Sequence, residues 1–228
     1  MNLMNTHTNR SIFFLALVVA GYLPQLAYAQ DAPDPTRFEN TVAEYEDYDK
    51  EHPFPEGAVL FVGSSSIRMW KSVDEDLPQV TAVNRGFGGS QFSDLEYYLD
   101  RLVTCYKPSK IFIYEGDNDI ASGKKPKQVL NDAQQVRAGI AAALPGVPVY
   151  FIAAKPSVAR WNIRKKYQQL NSMLAVYASK TADTGFVNVW DPALDEHGEV
   201  FKDIFVEDNL HMNKKGYAIW KQAIEPFL

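Results

Sequence analysis

The feature that most restricts this 228-residue chain is the alternation of five short apolar runs with longer segments of helical pattern. The runs, at 58–62, 81–84, 110–114, 147–153 and 186–189, are nearly all rich in Val, Ile, Phe or Tyr and are continuous rather than alternating with polar residues. Such strands need cover on both faces. Helical patterns at 65–73, 93–106, 126–144, 160–178 and 213–226 lie between and after them, so the sequence predicts an α/β fold built on a parallel five-stranded sheet with helices on both sides. In open sheets of this kind ligands sit beyond the carboxyl ends of the strands, near the point where strand order reverses.

Ahead of this region, Arg10 and the apolar run 12–20 lead to Ala27-Tyr28-Ala29, the pattern of a secretory signal peptide with a small-residue cleavage site. The run falls short of the roughly 20 residues of a bilayer span and is followed by Gly21, Pro24 and Gln25. Residues 1–29 therefore read as a removable leader and not as a stable membrane anchor, with the chain exported to the periplasm or secreted. Residues 30–57 read as a proline-containing linker and a polar helix over 37–50, and 58–228 as one domain. A net charge of −5 argues against a nucleic-acid partner, which needs clustered Lys and Arg. The single cysteine, Cys105, excludes an internal disulfide, and its helical surroundings predict a buried structural thiol.

Four polar or glycine-rich turns fall at the carboxyl edge of the predicted sheet. Gly63-Ser64-Ser65-Ser66 follows the first run, Asn84-Arg85-Gly86-Phe87-Gly88-Gly89-Ser90 the second, and Glu115-Gly116-Asp117-Asn118-Asp119 the third; Glu207-Asp208-Asn209-Leu210-His211-Met212-Asn213 precedes the last helix. The glycines are not a dinucleotide fingerprint, because position 91 is Gln, and no phosphate loop is present. A serine hydroxyl attacks only when a base takes its proton. Of the four histidines, His7 lies in the leader, His52 between charged and proline residues, and His197 in a hinge-like turn; His211 alone sits beside a carboxylate at the mouth of a helix. Asp208, three residues earlier, can reach the far ring nitrogen, fix the tautomer and balance the imidazolium. Ser65, at the start of a helix, has a free N–H and the positive end of the helix dipole beside it. Ser64 and Ser66 are its alternatives. The elbow G-x-S-x-G is excluded, since position 67 is Ile.

Taken in order, Gly63-Ser64-Ser65, the G-x-G-G turn ending at Gly89, Gly116-Asp117-Asn118-Asp119 and Asp208-x-x-His211 resemble the four blocks of the SGNH hydrolases, also called GDSL esterases. The resemblance spans about 58 to the C-terminus and implies a flavodoxin-like three-layer α/β/α sandwich. It implies Ser65 as nucleophile, His211 as general base and Asp208 as its orienting acid. The implied oxyanion donors are the Ser65 and Gly89 backbone N–H groups and the Asn118 side chain. One departure stands out: Ser64 replaces the motif aspartate, and a further serine follows at Ser66. The implied activity is hydrolysis of carboxylic esters through an acyl-enzyme, without a metal or organic cofactor. Related members cleave thioesters, lysophospholipids and sugar acetates. The largest insertion between elements, 191–207, is charged and too short to form a lid over a long acyl chain, which favours short acyl groups such as acetyl on a carbohydrate over lysophospholipase or thioesterase action. Arg160 and Trp161, beyond the fourth run, are candidate substrate-binding residues.

Two rival readings use other residues. A metal-assisted hydrolase could employ Asp117, Asp119, Asp208 and His211, although catalytic zinc commonly has two or three imidazoles and here one is on offer. A non-catalytic carbohydrate-binding protein or scaffold on the same fold could stack sugars on Trp70, Trp161 and Trp190.

Overall fold

The computed structural model describes residues 33–228. The expected leader, 1–29, lies outside the described residues. Strands form at the apolar runs: β1 (Val59–Gly63), β2 (Ala82–Gly86), β3 (Lys110–Tyr114), β4 (Val149–Ile152) and β5 (Thr184–Val187). All neighbours pair in parallel in the order β2-β1-β3-β4-β5. This is the flavodoxin-like order, in which the chain leaves β1 to one side and later returns on the other, so the β1/β3 boundary is the switch point. β5 ends two residues before the run predicts, because the Asn188 side chain accepts from the Trp190 and Asp191 N–H groups and starts a turn.

The helices are α1 (Glu39–Glu51), α2 (Ser65–Arg68), α3 (Val73–Asp76), α4 (Phe92–Tyr97), α5 (Leu99–Leu102), α6 (Asp117–Ala121), α7 (Pro126–Ala143), α8 (Arg164–Ser179) and α9 (Lys214–Ile224). Alternation along each strand divides the core in two. Leu60, Val62, Ile111, Ile113, Val149 and Phe151 pack with residues of α1, α4, α5, α7 and α8. Val59, Phe61, Phe112, Tyr114 and Ile152 pack with Ile67 of α2, Val73 of α3 and Tyr217, Trp220 and Ile224 of α9. Complete burial of each such side chain stabilises the fold by about 1.5–3 kcal/mol before entropy is counted.

Two predicted helices are broken. The segment 65–73 splits into α2 and α3, because the Trp70 indole N–H and the Ser72 hydroxyl both donate to Asp76 Oδ2 at 2.7 Å and close a loop between them. The segment 93–106 splits into α4, α5 and a 3₁₀ turn over Thr104–Tyr106. That turn carries Cys105 outward. The thiol expected to be buried is exposed, with Sγ donating to the Arg101 carbonyl at 3.2 Å.

At the N-terminal end of the described chain, Phe38 and Val42 of the 3₁₀ turn Pro35–Phe38 and α1 enter the core. Polar anchors join them: Arg37 pairs with the buried Asp94 at 2.5 Å, Asp49 with Arg85, and the Tyr45 hydroxyl donates to Gly86 O at 2.6 Å. These contacts hold the segment against the end of β2 and against α4.

Candidate active site

Four chain segments meet beyond the carboxyl ends of β1, β2 and β3. At the switch point β1 must run close to β3. Gly63 has φ 128°, and a Cβ there would lie 2.1 Å from the Tyr114 carbonyl oxygen, so only glycine permits this approach. The Ser64 N–H then donates to Tyr114 O at 2.9 Å, and α2 begins at Ser65.

The loop carrying Asp208 and His211 is fixed from both sides. Asn213 caps α9 by accepting from the Lys215 N–H at 2.8 Å, and its amide donates to Asp203 O and Phe205 O. The Tyr217 hydroxyl, one turn into α9, donates to Ser66 O at 2.9 Å and so ties this helix to the one bearing Ser65. Behind it Trp70 stacks on Tyr217 with ring centroids 5.4 Å apart. As a result His211 Nε2 stands 2.9 Å from Ser65 Oγ, and Nδ1 stands 2.5 Å from Asp208 Oδ2. Ser65, His211 and Asp208 are thus in one hydrogen-bonded line although the first is 146 residues from the second. Asp208 Oδ1 meanwhile accepts from the Leu210 and His211 N–H groups at 2.9 and 2.8 Å. Desolvation would raise the Asp208 pKa, but the bonds from the His211 ring and these amides outweigh it and bring the carboxyl down to about 2. It is therefore ionised wherever an imidazole changes charge.

The other two serines are placed differently. Ser64 and Ser66 are buried, whereas Ser65 is half-buried and opens on a cleft of about 330 Å³ lined by Arg68, Met69, Gly88, Gly89, Asn118, Arg160, Leu210 and His211. Among the described residues the Ser65 and Gly89 N–H groups have no hydrogen-bond acceptor, and both residues line this cleft.

Asn118 has a fuller set of partners than its sequence context suggests. Its amide donates to Ser64 Oγ at 2.7 Å and to Ser90 O at 3.0 Å. The Ser64 hydroxyl, at the position of the motif aspartate, is therefore a polar hook for this side chain. The Asn118 carbonyl oxygen accepts from both Arg160 terminal nitrogens at 3.2 and 3.1 Å, which fixes which end of the amide faces Ser64. Arg160 also pairs with Asp117 Oδ1 at 2.6 Å, while Lys155 approaches Asp117 Oδ2 at 3.6 Å and the Tyr114 hydroxyl donates to that oxygen at 2.9 Å. Burial alone would raise the Asp117 pKa, but Lys155 and Arg160 reverse the effect and hold it below its ordinary value. Ser90 is held in turn: its hydroxyl is 2.5 Å from Oε1 of the buried Glu115, whose carboxyl is pushed well above the usual range first by desolvation and then by Asp119.

Trp161 is turned away from the cleft. It stacks on Trp190 at 6.2 Å, with the Arg164 guanidinium 4.9 Å from its ring, so of the expected wall Arg160 lines the cleft and Trp161 does not. The tryptophan platform is not formed either, since Trp70 and Trp190 are buried. The four residues of the metal reading do not gather. Asp117 faces Arg160 and Lys155, whereas Asp119 accepts from Lys124, the Phe92 N–H and the Gly116 N–H. Sequence reasoning missed the Lys155–Asp117–Arg160 cluster. Its available signal was a lysine two residues after the fourth apolar run, at the edge where ligands sit.

The sequence over 62–219 matches the GDSL-like Lipase/Acylhydrolase family. Comparison with curated protein sequences gives no match. Among solved structures, a Streptococcus pneumonia protein named for platelet activating factor superposes with a TM-score of 0.74 at 23% identity, covering 84% of this chain and 92% of that one. A GDSL-like lipase from Bacteroides thetaiotaomicron gives 0.68 at 18% identity, covering 82% and 96%. An acetylxylan esterase from Geobacillus stearothermophilus, solved as a catalytic mutant, gives 0.63 at 14% identity, covering 75% and 93%. With the four sequence blocks on one sheet edge and more than half of the chain matched, this protein is a serine ester hydrolase and belongs to the GDSL-like lipase/acylhydrolase, or SGNH hydrolase, family.

Proposed function

We propose that this protein is an exported esterase that removes short acyl groups, acetyl above all, from carbohydrates, with Ser65 as nucleophile. The observation that carries the chemistry is the line from Ser65 Oγ through the His211 ring to Asp208. His211 Nε2 takes the Ser65 proton as Oγ attacks the ester carbonyl carbon, and Asp208 steadies the imidazolium. The tetrahedral intermediate collapses, the C–O bond to the alcohol breaks, and Nε2–H delivers the proton to the departing alkoxide. Water, deprotonated by the same nitrogen, then attacks the acyl-Ser65 carbonyl carbon; the bond from that carbon to Oγ breaks, Nε2–H returns its proton to Oγ, and the acid is released. Three features support the short-acyl reading: the small volume of the cleft, the polar and glycine residues in its lining, and the acetylxylan esterase among the structural neighbours. Export rests on the leader pattern in residues 1–29.

A panel of para-nitrophenyl esters of increasing acyl length, run beside acetylated xylo-oligosaccharides, tests the substrate. kcat/KM is expected to be highest at two to four acyl carbons and to be measurable on the acetylated sugars. A maximum at eight carbons or more, or turnover of lysophospholipid or acyl thioester in preference to sugar acetate, would sink this assignment.

The oxyanion role of Asn118 carries its own expectation. Its amide is engaged by Ser64 and Ser90, so donating to the developing oxyanion means exchanging the bond to a hydroxyl that can rotate away. Asn118→Ala should lower kcat by about 10²–10³-fold with little change in KM, because the bond strengthens only as negative charge develops. Steady-state kinetics on a short para-nitrophenyl ester measures this, and a change confined to KM would assign Asn118 to substrate binding instead.

A further inference from the structure

Among the described residues, the cleft around Ser65 contains one cation that neither the fold nor the relay employs. Arg68 ends α2, three residues after Ser65, and is exposed into the same cleft. Among the described residues its guanidinium has no hydrogen bond and no ion pair. Its head group lies beside a glycine of the neighbouring turn. A Cβ at Gly88 would lie 3.0 Å from Nε and 3.3 Å from Cζ, so the head group rests against the turn that also presents Gly89, and any larger residue at 88 would push it aside.

The charges around it are unbalanced. Asp117 faces two cations, Arg160 and Lys155, and Asp208 is committed to His211. Positive charge therefore exceeds negative charge around this cleft, in a chain whose net charge is −5. An unpaired guanidinium at the wall of a small cleft is a planar, two-pronged donor whose geometry matches a carboxylate.

We propose that Arg68 binds a carboxylate of the substrate, so that the preferred esters are anionic, with the negative charge on the acyl or the alcohol part within reach of the scissile bond. This inference rests on the ester hydrolase reading and specifies the substrate class of the same site. Arg68 would act as a specificity-determining residue, since the relay is complete without it.

Two substrate pairs test it. Para-nitrophenyl esters of adipic acid and of its monomethyl ester put a charge, or none, on the acyl side. Para-acetoxybenzoate and its methyl ester do the same on the alcohol side. After correction for the uncatalysed rate of each ester, the charged member of one pair is expected to be favoured roughly tenfold in kcat/KM, the order of a charge-assisted hydrogen bond. The pair that shows the preference identifies the side. Arg68→Gln should bring the ratio to near unity and Arg68→Lys should keep part of it. Raising salt from about 0.05 to 0.5 M should shrink the wild-type preference and leave the Arg68→Gln ratio where it is. Far-ultraviolet dichroism and the thermal midpoint of both variants establish that they are folded. Parity or a preference for the uncharged ester in both wild-type pairs overturns the proposal, as does a preference that survives in Arg68→Gln. Failure to cleave any of the four esters would instead count against ester hydrolysis by this chain and remove the inference with it.

Discussion

Replacing Ser65 by alanine is expected to reduce kcat on a short para-nitrophenyl ester by 10⁵–10⁶-fold, on the order of the loss seen when a serine hydrolase loses its nucleophile. The magnitude follows from what the hydroxyl supplies: the covalent path itself, with His211 Nε2 already 2.9 Å from the attacking oxygen. No neighbour can substitute. Ser64 is buried with its oxygen held by the Asn118 amide, and Ser66 is buried with its carbonyl held by Tyr217. Ser64→Ala and Ser66→Ala should therefore lose orders of magnitude less than Ser65→Ala. A fluorophosphonate that labels active serines separates the three by mass. Wild type, Ser64→Ala and Ser66→Ala should each gain one adduct, on the peptide that contains Ser65, and Ser65→Ala should gain none. Labelling of Ser65→Ala, or turnover within tenfold of wild type, would place the nucleophile elsewhere.

The layout of this site was legible in the sequence because its blocks sit where parallel strands end. Continuous runs such as Ile111 to Tyr114 announce a strand covered on both faces, and once strands are parallel their following turns must share an edge. Elimination isolated His211, and its spacing to Asp208 is local, so that pair needed no tertiary knowledge. The details that depend on contacts between distant segments were not legible. Arg160 reaches Asn118 across 42 residues, and Asn118 reaches Ser64 across 54, so no local pattern records that the Asn118 amide is held at both ends. The same limit explains the misplaced side chains. Periodicity places Cys105 inside because Leu102 and Val103 are inside, yet a single tight turn after Val103 rotates the thiol outward. Trp161 and Arg160 are adjacent in sequence, but the 3₁₀ turn that starts at Trp161 sends one to Trp190 and leaves the other in the cleft.

The interlocking of these contacts assigns Arg160 a role through Asn118 more than through substrate. Its charge is answered by Asp117, and both of its terminal nitrogens face the Asn118 carbonyl. Among the described residues, two guanidinium groups line the cleft: that of Arg160 is tied to Asp117 and Asn118, and that of Arg68 has no such partner.

Asp208→Asn should be the next most damaging change after loss of the nucleophile, with kcat falling by about 10⁴-fold. The reason lies in the two faces of this carboxylate. Oδ1 accepts from two backbone N–H groups and Oδ2 accepts from His211 Nδ1. An amide has one oxygen for these two jobs. If that oxygen stays with the backbone, the NH₂ faces Nδ1, donates to it and forces the ring proton onto Nε2, where it meets Ser65 Oγ and can no longer accept a proton. If the amide turns over, its NH₂ confronts two N–H donors and the loop is strained. Asp208→Ala offers no wrong donor, and the site is open enough, with 45% of the Asp208 side chain exposed, for water to take the vacated place; it should lose less activity than the nearly isosteric change. Stability should separate from activity. A carboxyl held at about 2 contributes stability that is present above its ordinary value of 3.8 and is lost as pH falls through about 2, so near neutrality both variants forgo it. Solvent exposure keeps that contribution small, and the thermal midpoint should move by only a few degrees while turnover collapses. Equal losses in Asp208→Asn and Asp208→Ala would mean that charge alone matters, and an unimpaired Asp208→Asn would remove Asp208 from the relay.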